Sequence, residues 1–151
     1  MTRREAREAV FGLLFETEFR ADEDPKEIYR TSTEYREIPR DAYIHRVYFG
    51  VTEKLTELDA VIEKHAKGWT VSRMSRVSRT VLRIATYEMM FMDGKVPMRV
   101  SINEAIELSK KFDSERARGF INGILNAIKN ELTPPEAPAE PKNDTSASTE
   151  D

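Results

Sequence analysis

Three arginines, Arg3, Arg4 and Arg7, lie within the first seven residues of the chain, where the apolar spacing predicts a helix. The first turn of a helix carries partial positive charge, so an exposed cation there costs about 0.3–1 kcal/mol. A bound phosphate group would offset that cost, because helix N-termini themselves favour anions. The cluster therefore indicates either a phosphate-binding site or arginines that pair with acids, such as Glu8, inside a bundle.

The same predicted helix is apolar on two sides. Phe11, Phe15 and Phe19 recur at every fourth position, opposite a stripe of other apolar residues that includes Val10 and Leu13. Such a helix either lies at the centre of a bundle or presents one of its sides to a partner. The residues alone leave both alternatives open.

A second row of arginines follows in the middle of the chain. Arg76, Arg79 and Arg83 recur at spacings of three and four residues, which places them on one face of a predicted helix. The row is either a solvated face that pairs with acids such as Glu88 and Glu104, or an extension of a positive surface for a polyanion.

The last predicted helix contains two glycines, Gly119 and Gly123, each of which costs about 1 kcal/mol in helix propensity. That cost indicates that another backbone approaches the helix closely at this point. Phe120 lies between the glycines, and Arg116 and Arg118 precede it. An aromatic ring beside arginines can stack on a nucleic-acid base, although a phenylalanine in the core is an equally good interpretation.

Residue patterns typical of catalysis are missing from the sequence. The two histidines, His45 and His65, have no second metal ligand at helical spacing, and there is no cysteine. No glycine-rich phosphate loop is present either. We therefore expect no enzyme activity, metal or cofactor. Because no apolar run approaches 18 residues and no secretory signal is visible, we expect a soluble cytoplasmic protein without a membrane partner.

Charge is distributed unevenly along the chain, whose formal net charge is -3. Residues 69–130 carry 11 lysines and arginines against 6 acids, which gives a net charge of +5. Residues 133–151 carry five acids and one lysine. A local basic region attracts a polyanion even when the whole chain is acidic, so nucleic acid remains a candidate partner.

Helical periodicity runs through most of the chain, and strand signals are nearly absent. The predicted architecture is an all-α bundle of about seven helices within residues 1–132. Predicted helix starts include caps at Asp24, Thr56, Ser75 and Ser114, and a capping box formed by Ser101 and Glu104. The predicted helices cover residues 3–20, 25–38, from about 40, 56–68, 75–92, from 101 and 114–132.

Residues 69–75 show no clear pattern, so they are the predicted seam between two lobes at about 1–68 and 75–132. Residues 133–151 have no large apolar side chain, and we expect them to form a disordered acidic tail.

Four segments, RREAREAVFGLLFE, RTVLRIATYEMMF, VPMRVSINEAIELSKKF and FINGILNAI, follow one another between about residues 3 and 130. Together they resemble the NusB family of bacterial transcription antitermination factors. The resemblance implies a seven-helix protein of two packed lobes that binds the boxA element of nascent RNA together with NusE, a small-subunit ribosomal protein. It also implies that this complex helps RNA polymerase to read through terminators, notably on ribosomal RNA operons.

The resemblance also implies roles for particular residues. It places the arginine-rich start and the phenylalanine of FING on RNA, and an aromatic residue and the glutamate of the Tyr-Glu pair on NusE. With Arg79 and two neighbouring arginines added, the expected RNA contacts are Arg3, Arg4, Arg7, Arg79, Arg116, Arg118 and Phe120. The expected NusE contacts are Phe15 and Glu88, with Phe11 and Phe19 beside them.

The chain departs from the family pattern at Glu5, which interrupts the arginine run, and in its acidic tail. Both features favour an alternative hypothesis, a protein-binding or self-associating helical module without RNA affinity of its own. A homodimer through the aromatic surface is part of that alternative. An RNA-modifying enzyme is disfavoured, because no βαβ unit that could bind a cofactor is present.

Overall fold

The computed structural model describes residues 1–92 and 94–134. Within these residues the chain forms seven α-helices, one short 3-10 turn and no strand, so the predicted all-α bundle is confirmed. The helices are α1 (Arg3–Phe19), α2 (Pro25–Tyr35), α3 (Ala42–Glu53), α4 (Leu55–Lys64), α5 (Arg76–Phe91), α6 (Met98–Phe112) and α7 (Glu115–Leu132). The predicted tail lies outside the described residues from residue 135 onward.

Side-chain caps explain where most of the helices begin. The predicted caps at Asp24, Ser75 and Ser114 are confirmed, because each side chain accepts a hydrogen bond from a backbone N–H two or three residues later. α1 has a cap that was not among the predicted ones. The Thr2 hydroxyl accepts from the Glu5 backbone, and the Glu5 carboxylate accepts from the Thr2 backbone. Glu5 therefore stabilises the helix whose arginine run it interrupts.

Two predicted helix starts are wrong. α4 begins at Leu55 without a side-chain cap, so Thr56 lies inside the helix. α6 begins at Met98, directly after Pro97, and the predicted capping box of Ser101 and Glu104 therefore lies within it. Proline is well tolerated at a helix start, which explains why the helix begins three residues before the predicted cap.

α5 is the central helix of the bundle, and it packs against α1, α3, α4, α6 and α7. Its fully buried residues include Leu82, Ile84 and Met89, which belong to one hydrophobic core shared by the surrounding helices. The 3-10 turn, Val71–Arg73, falls in the predicted seam, and the division into two lobes remains a prediction. None of the described helices is long and apolar enough to cross a membrane.

The close approach of two helices depends on a glycine in α3. A Cβ atom added at Gly50 would overlap the ring of Tyr87 on α5, which lies directly against the α3 backbone. The glycines of α7 behave differently, because a Cβ at Gly119 or Gly123 would meet no atom of the described residues within 4 Å, apart from its own helix backbone and chain neighbours. The close approach of another backbone that the sequence predicts at these two glycines is therefore not made by any described part of this chain.

Alanine substitution separates the two kinds of glycine. Gly50→Ala should lower the free energy of unfolding by about 1–3 kcal/mol, because the Tyr87 ring must move within a packed core. Gly123→Ala, the matched control in open space, should raise it by up to about 1 kcal/mol through helix propensity. Urea unfolding followed by circular dichroism measures both values. Equal stability of the Gly50→Ala variant and the parent would contradict the close packing.

Candidate nucleic-acid interface

Arg7 lies inside the bundle, where it forms an ion pair with Glu88. Its Nε and Nη2 atoms donate to Oε2 and Oε1 of Glu88 at 2.8 and 3.0 Å. The hydroxyl of Ser101 donates to Oε1 at 2.7 Å, and the hydroxyl of Tyr43 donates to Oε2. The Glu88 carboxylate on α5 therefore receives hydrogen bonds from α1, α3 and α6.

This network compensates for the burial of two charges. Removing an ion pair from water is costly unless hydrogen bonds satisfy both partners, and here the carboxylate accepts four. Burial alone would lower the pKa of Arg7, but its hydrogen bonds and attraction to Glu88 raise it above the usual value. Burial and the charge of Glu88 raise the pKa of Tyr43 far above its usual value, so its hydroxyl stays a donor.

Burial limits what Arg7 and Glu88 can contact directly. Their side chains are only 5% and 1% exposed, so neither charge is presented to solvent. A contact of Arg7 with RNA, or of Glu88 with NusE, would require the network to open. The geometry therefore favours a structural role for both residues, in which they hold the elements that carry the surface.

Arg3 and Arg4 are both exposed at the start of α1. Arg4, with 58% of its side chain exposed, donates to both carboxylate oxygens of Glu104 at 3.0 and 2.8 Å. These hydrogen bonds lower the pKa of Glu104. The Arg3 guanidinium lies 4.4 Å from the centre of the Tyr43 ring and forms no ion pair within the described residues. Two positive groups thus remain accessible at this helix end.

The acid expected to pair with Arg4 has a different partner. Glu8 accepts from Lys111 of α6 at 2.9 Å, and it is Glu104, on the facing helix, that binds Arg4. The interpretation in which Arg4 pairs with Glu8 along α1 is therefore wrong. Helical spacing identified Glu8 as a candidate, but the tertiary packing of α6 against α1 determined the pairing.

Acids of other helices largely neutralise the arginine row of α5. Glu18 of α1 accepts from Arg79 at 2.6 Å and from Arg83 at 3.1 Å, and Asp59 of α4 accepts two further bonds from Arg83. Arg79 also donates to the backbone carbonyl of Met74 at 2.9 Å. The partners are therefore not Glu88 and Glu104, and Arg79 presents little free charge to a ligand.

The phenylalanines of α1 form a continuous aromatic surface with one residue of α6. Phe11 stacks on Phe112 with their ring centres 4.6 Å apart, and Phe15 lies between Phe11 and Phe19. Phe19 is 63% exposed, and the Arg76 guanidinium lies 3.9 Å from the centre of its ring. Phe112 could not be predicted as part of this surface, since nothing local in the sequence relates it to the stripe on α1.

The start of α7 presents a second group of predicted RNA contacts. Phe120 is half-buried, Arg116 is exposed and forms no ion pair within the part of the chain that the structure describes, and Arg118 lies 3.4 Å from Glu115. The Phe120 ring meets Trp69 edge to face, with ring centres 5.9 Å apart. Trp69 was also missed, because it lies in the segment without a helical pattern. No described hydrogen bond or ion pair joins this group to Arg3 and Arg4.

Known proteins of one family match the chain over most of its length. The model described as the NusB family matches residues 4–130. The transcription antitermination protein NusB of Bacillus licheniformis is 37% identical over 132 residues, which cover 87% of this chain and 99% of that protein. A structure of T. maritima NusB has 38% identity and a TM-score of 0.76, and the match covers 89% of this chain and 94% of that one.

One similar structure contains partners. It is a crystal structure of the antitermination factors NusB and NusE in complex with double-stranded RNA. Its matching chain is 30% identical with a TM-score of 0.74, and the match covers 87% of this chain and 99% of that chain.

The buried ion pair makes a testable contribution to stability. Arg7→Ala should lower the free energy of unfolding by about 3–5 kcal/mol, because Glu88 is left charged and unpaired in the interior. The double variant Arg7→Met/Glu88→Gln should recover part of this loss, since no buried charge remains. Arg3→Ala, an exposed control one helical turn earlier, should change it by less than about 0.5 kcal/mol. Urea unfolding of the three variants measures these changes in the free energy of unfolding. Similar losses for Arg7→Ala and Arg3→Ala would exclude a structural role of Arg7.

The surface pair of Arg4 and Glu104 should make stability depend on pH. Because the folded state lowers the pKa of Glu104, its contribution is present above the unfolded value near 4.5 and is lost as pH falls through the lower folded value. The stability difference between the parent and Glu104→Gln should therefore be constant at neutral pH and shrink in acid. Urea unfolding between pH 7 and pH 3 measures this difference. A difference that is unchanged at pH 3 would contradict the pairing.

Proposed function

The chain belongs to the NusB family, and from this we propose that it is a transcription antitermination factor that binds boxA-type single-stranded RNA together with the ribosomal protein NusE. The observation that carries the proposal is the match along residues 4–130, which spans every described helix except the edges of α1 and α7. The role is that of a non-enzymatic adaptor. It joins RNA polymerase indirectly, through the antitermination complex, and promotes read-through on ribosomal RNA operons in the cytoplasm.

RNA binds, in this proposal, at the start of α1. Arg3 and Arg4 are exposed there, and the capping box of Thr2 and Glu5 fixes the first turn of the helix that carries them. In the free protein the Arg4 guanidinium is paired with the Glu104 carboxylate, so an RNA phosphate must replace this carboxylate when it binds Arg4. Arg3 needs no such exchange, because an aromatic ring rather than a carboxylate supports it.

NusE binds, in this proposal, on the aromatic surface of α1 and α6. Phe19 and Phe112 are its exposed ends, while Phe11 and Phe15 support them from the core side. Exposed aromatic side chains that cluster in this way are typical of protein interfaces. Glu88 acts from beneath, because it holds α1, α3 and α6 on α5 and so fixes the position of the surface.

The same surface supports one alternative, a homodimer of this chain. Phe19 and Phe112 would become buried between two copies, and the proposed NusE site would then be hidden. Light scattering of the purified chain, alone and with NusE, separates the two assemblies. A stable homodimer that does not dissociate when NusE is added would favour the self-associating module.

The RNA site is tested by removing its two exposed charges. With NusE present, Arg3→Ala/Arg4→Ala should weaken binding of a short boxA RNA about tenfold or more, equivalent to about 1.4 kcal/mol. The slope of log affinity against log salt should fall by about 1.4, because about 0.7 is lost per phosphate contact on a single strand. Fluorescence anisotropy over a salt series measures both quantities.

A matched control removes the same charge elsewhere. Lys26→Ala/Arg30→Ala removes two exposed cations from α2. The start of α2 lies beside the C-terminal half of α1, because the Tyr48 hydroxyl is hydrogen-bonded both to the Pro25 carbonyl and to Thr17. This variant should bind boxA RNA like the parent, apart from a small long-range effect of charge. Equal losses in the two double variants would mean that RNA does not bind specifically at the start of α1. Absence of any specific RNA complex with NusE present would reject the function itself.

A further inference from the structure

Trp69, the single tryptophan of the chain, is held at the surface by the turn that follows α4. Its backbone N–H donates to the carbonyl of Ala66 at 3.2 Å, and Gly68 before it has the positive φ of 90° that this turn requires. Trp69 is 46% exposed. A large apolar ring is thus presented to solvent from a defined backbone position, instead of completing the core.

Two neighbours surround the ring and give the cluster its chemistry. Phe120 of α7 meets it edge to face at 5.9 Å, and the Arg73 guanidinium lies 5.5 Å from its ring centre. Tryptophan and phenylalanine rings provide faces on which any base can stack, and a guanidinium beside them can contact the phosphate of the same nucleotide. We call Trp69, Arg73 and Phe120 the tryptophan cluster.

The charge around the tryptophan cluster is available to a ligand. Arg73 and Arg116 are exposed, and neither forms an ion pair within residues 1–92 and 94–134. The arginine row of α5 lies immediately after Arg73 along the chain, but Glu18 and Asp59 neutralise most of it. Unpaired arginines are therefore found beside the exposed aromatic rings, where a polyanion would use them.

The surface next to the cluster is also open. Gly119, beside Phe120 in α7, has no atom of another described part of the chain within 4 Å of the position where a Cβ would stand. No other described part of the chain uses this space, although the glycine weakens the helix. The surface of α7 directly over Gly119, next to Phe120 in the chain, is therefore free to receive a ligand.

We propose that the tryptophan cluster is a stacking site for one unpaired base of an RNA strand, with Arg73 and Arg116 contacting its phosphates. The site rests on the proposed function and adds to it a contact from Trp69 that lies apart from the start of α1. RNA fits better than a protein partner, because a protein interface would have to bury the charges of Arg73 and Arg116, neither of which forms an ion pair within the described residues. An RNA strand supplies both the base rings that stack on Trp69 and Phe120 and the phosphate charges that pair with the arginines.

Trp69 reports directly on the proposed contact, since it is the only tryptophan of the chain. In the complex with NusE, boxA RNA should quench its fluorescence, and quenching should saturate at the same RNA concentration as binding measured by anisotropy. The same titration with Trp69→Phe supplies the background signal of the partner. Trp69→Ala should weaken binding about 5- to 150-fold, the equivalent of about 1–3 kcal/mol for stacking of one base. Trp69→Phe should retain most of the affinity.

Controls separate this site from the proposed function and from folding. Tyr35→Ala removes another exposed aromatic residue, on α2, and should bind RNA like the parent. Urea unfolding checks that Trp69→Ala remains folded at the temperature of the assay. If RNA binds the parent tightly but neither quenches Trp69 nor depends on it, the stacking site is rejected and the proposed function stands. If Trp69→Ala instead loses NusE in the absence of RNA, the cluster is a protein interface and the proposal is also overturned.

Discussion

One buried carboxylate, Glu88, determines how four helices of this protein meet. It sits on the central helix α5 and accepts hydrogen bonds from Arg7 of α1, Tyr43 of α3 and Ser101 of α6. Helices joined by an apolar contact of the same size could slide past one another at little cost. A buried carboxylate instead requires each hydrogen-bond donor at its position, because the loss of one donor leaves an unsatisfied charge in a medium of low dielectric constant. The network therefore fixes the register of α1 against its neighbours.

That register has a consequence for the surface. Tyr43, anchored through its hydroxyl to Glu88, is also the ring over which the Arg3 guanidinium lies. Arg4, one residue later, is oriented by Glu104 of α6, the helix that Ser101 ties to Glu88. The two exposed arginines are thus oriented by the helices that the buried pair assembles. Inner and outer arginines have different tasks: Arg7 builds the scaffold, whereas Arg3 and Arg4 remain accessible on it.

Sequence reasoning predicted what depends on local spacing. The helices, the caps at Asp24, Ser75 and Ser114, and the phenylalanine stripe of α1 follow from residues a few positions apart. Pairings over long separations could not be predicted in this way. Arg7 and Glu88 are 81 residues apart, and no periodic pattern relates them. The family resemblance places both residues on partners, and the sequence alone does not reveal that both side chains are buried.

The same limit explains the aromatic residues that were missed. Phe112 joins the phenylalanine stripe of α1 only because the end of α6 packs against it. Trp69 lies in an irregular connection between helices, where the sequence shows no hydrophobic periodicity. Ser101 and Glu104 show the opposite case, in which the spacing of a capping box is present in the sequence but does not start the helix. α6 begins earlier, at Met98 directly after Pro97, and the side chains of Ser101 and Glu104 bind Glu88 and Arg4 instead.

The division between inner and outer arginines can be measured by comparing two spectra of the same sample. The arginine Nε–Hε signals of the complex with NusE should be recorded by nuclear magnetic resonance before and after addition of boxA RNA. The signals of Arg3 and Arg4 should shift, because their surroundings change from ring and carboxylate to phosphate. Those of Arg7 and Arg83 should stay unchanged within their internal ion pairs. A shift of Arg7 with Arg3 and Arg4 unaffected would contradict the account.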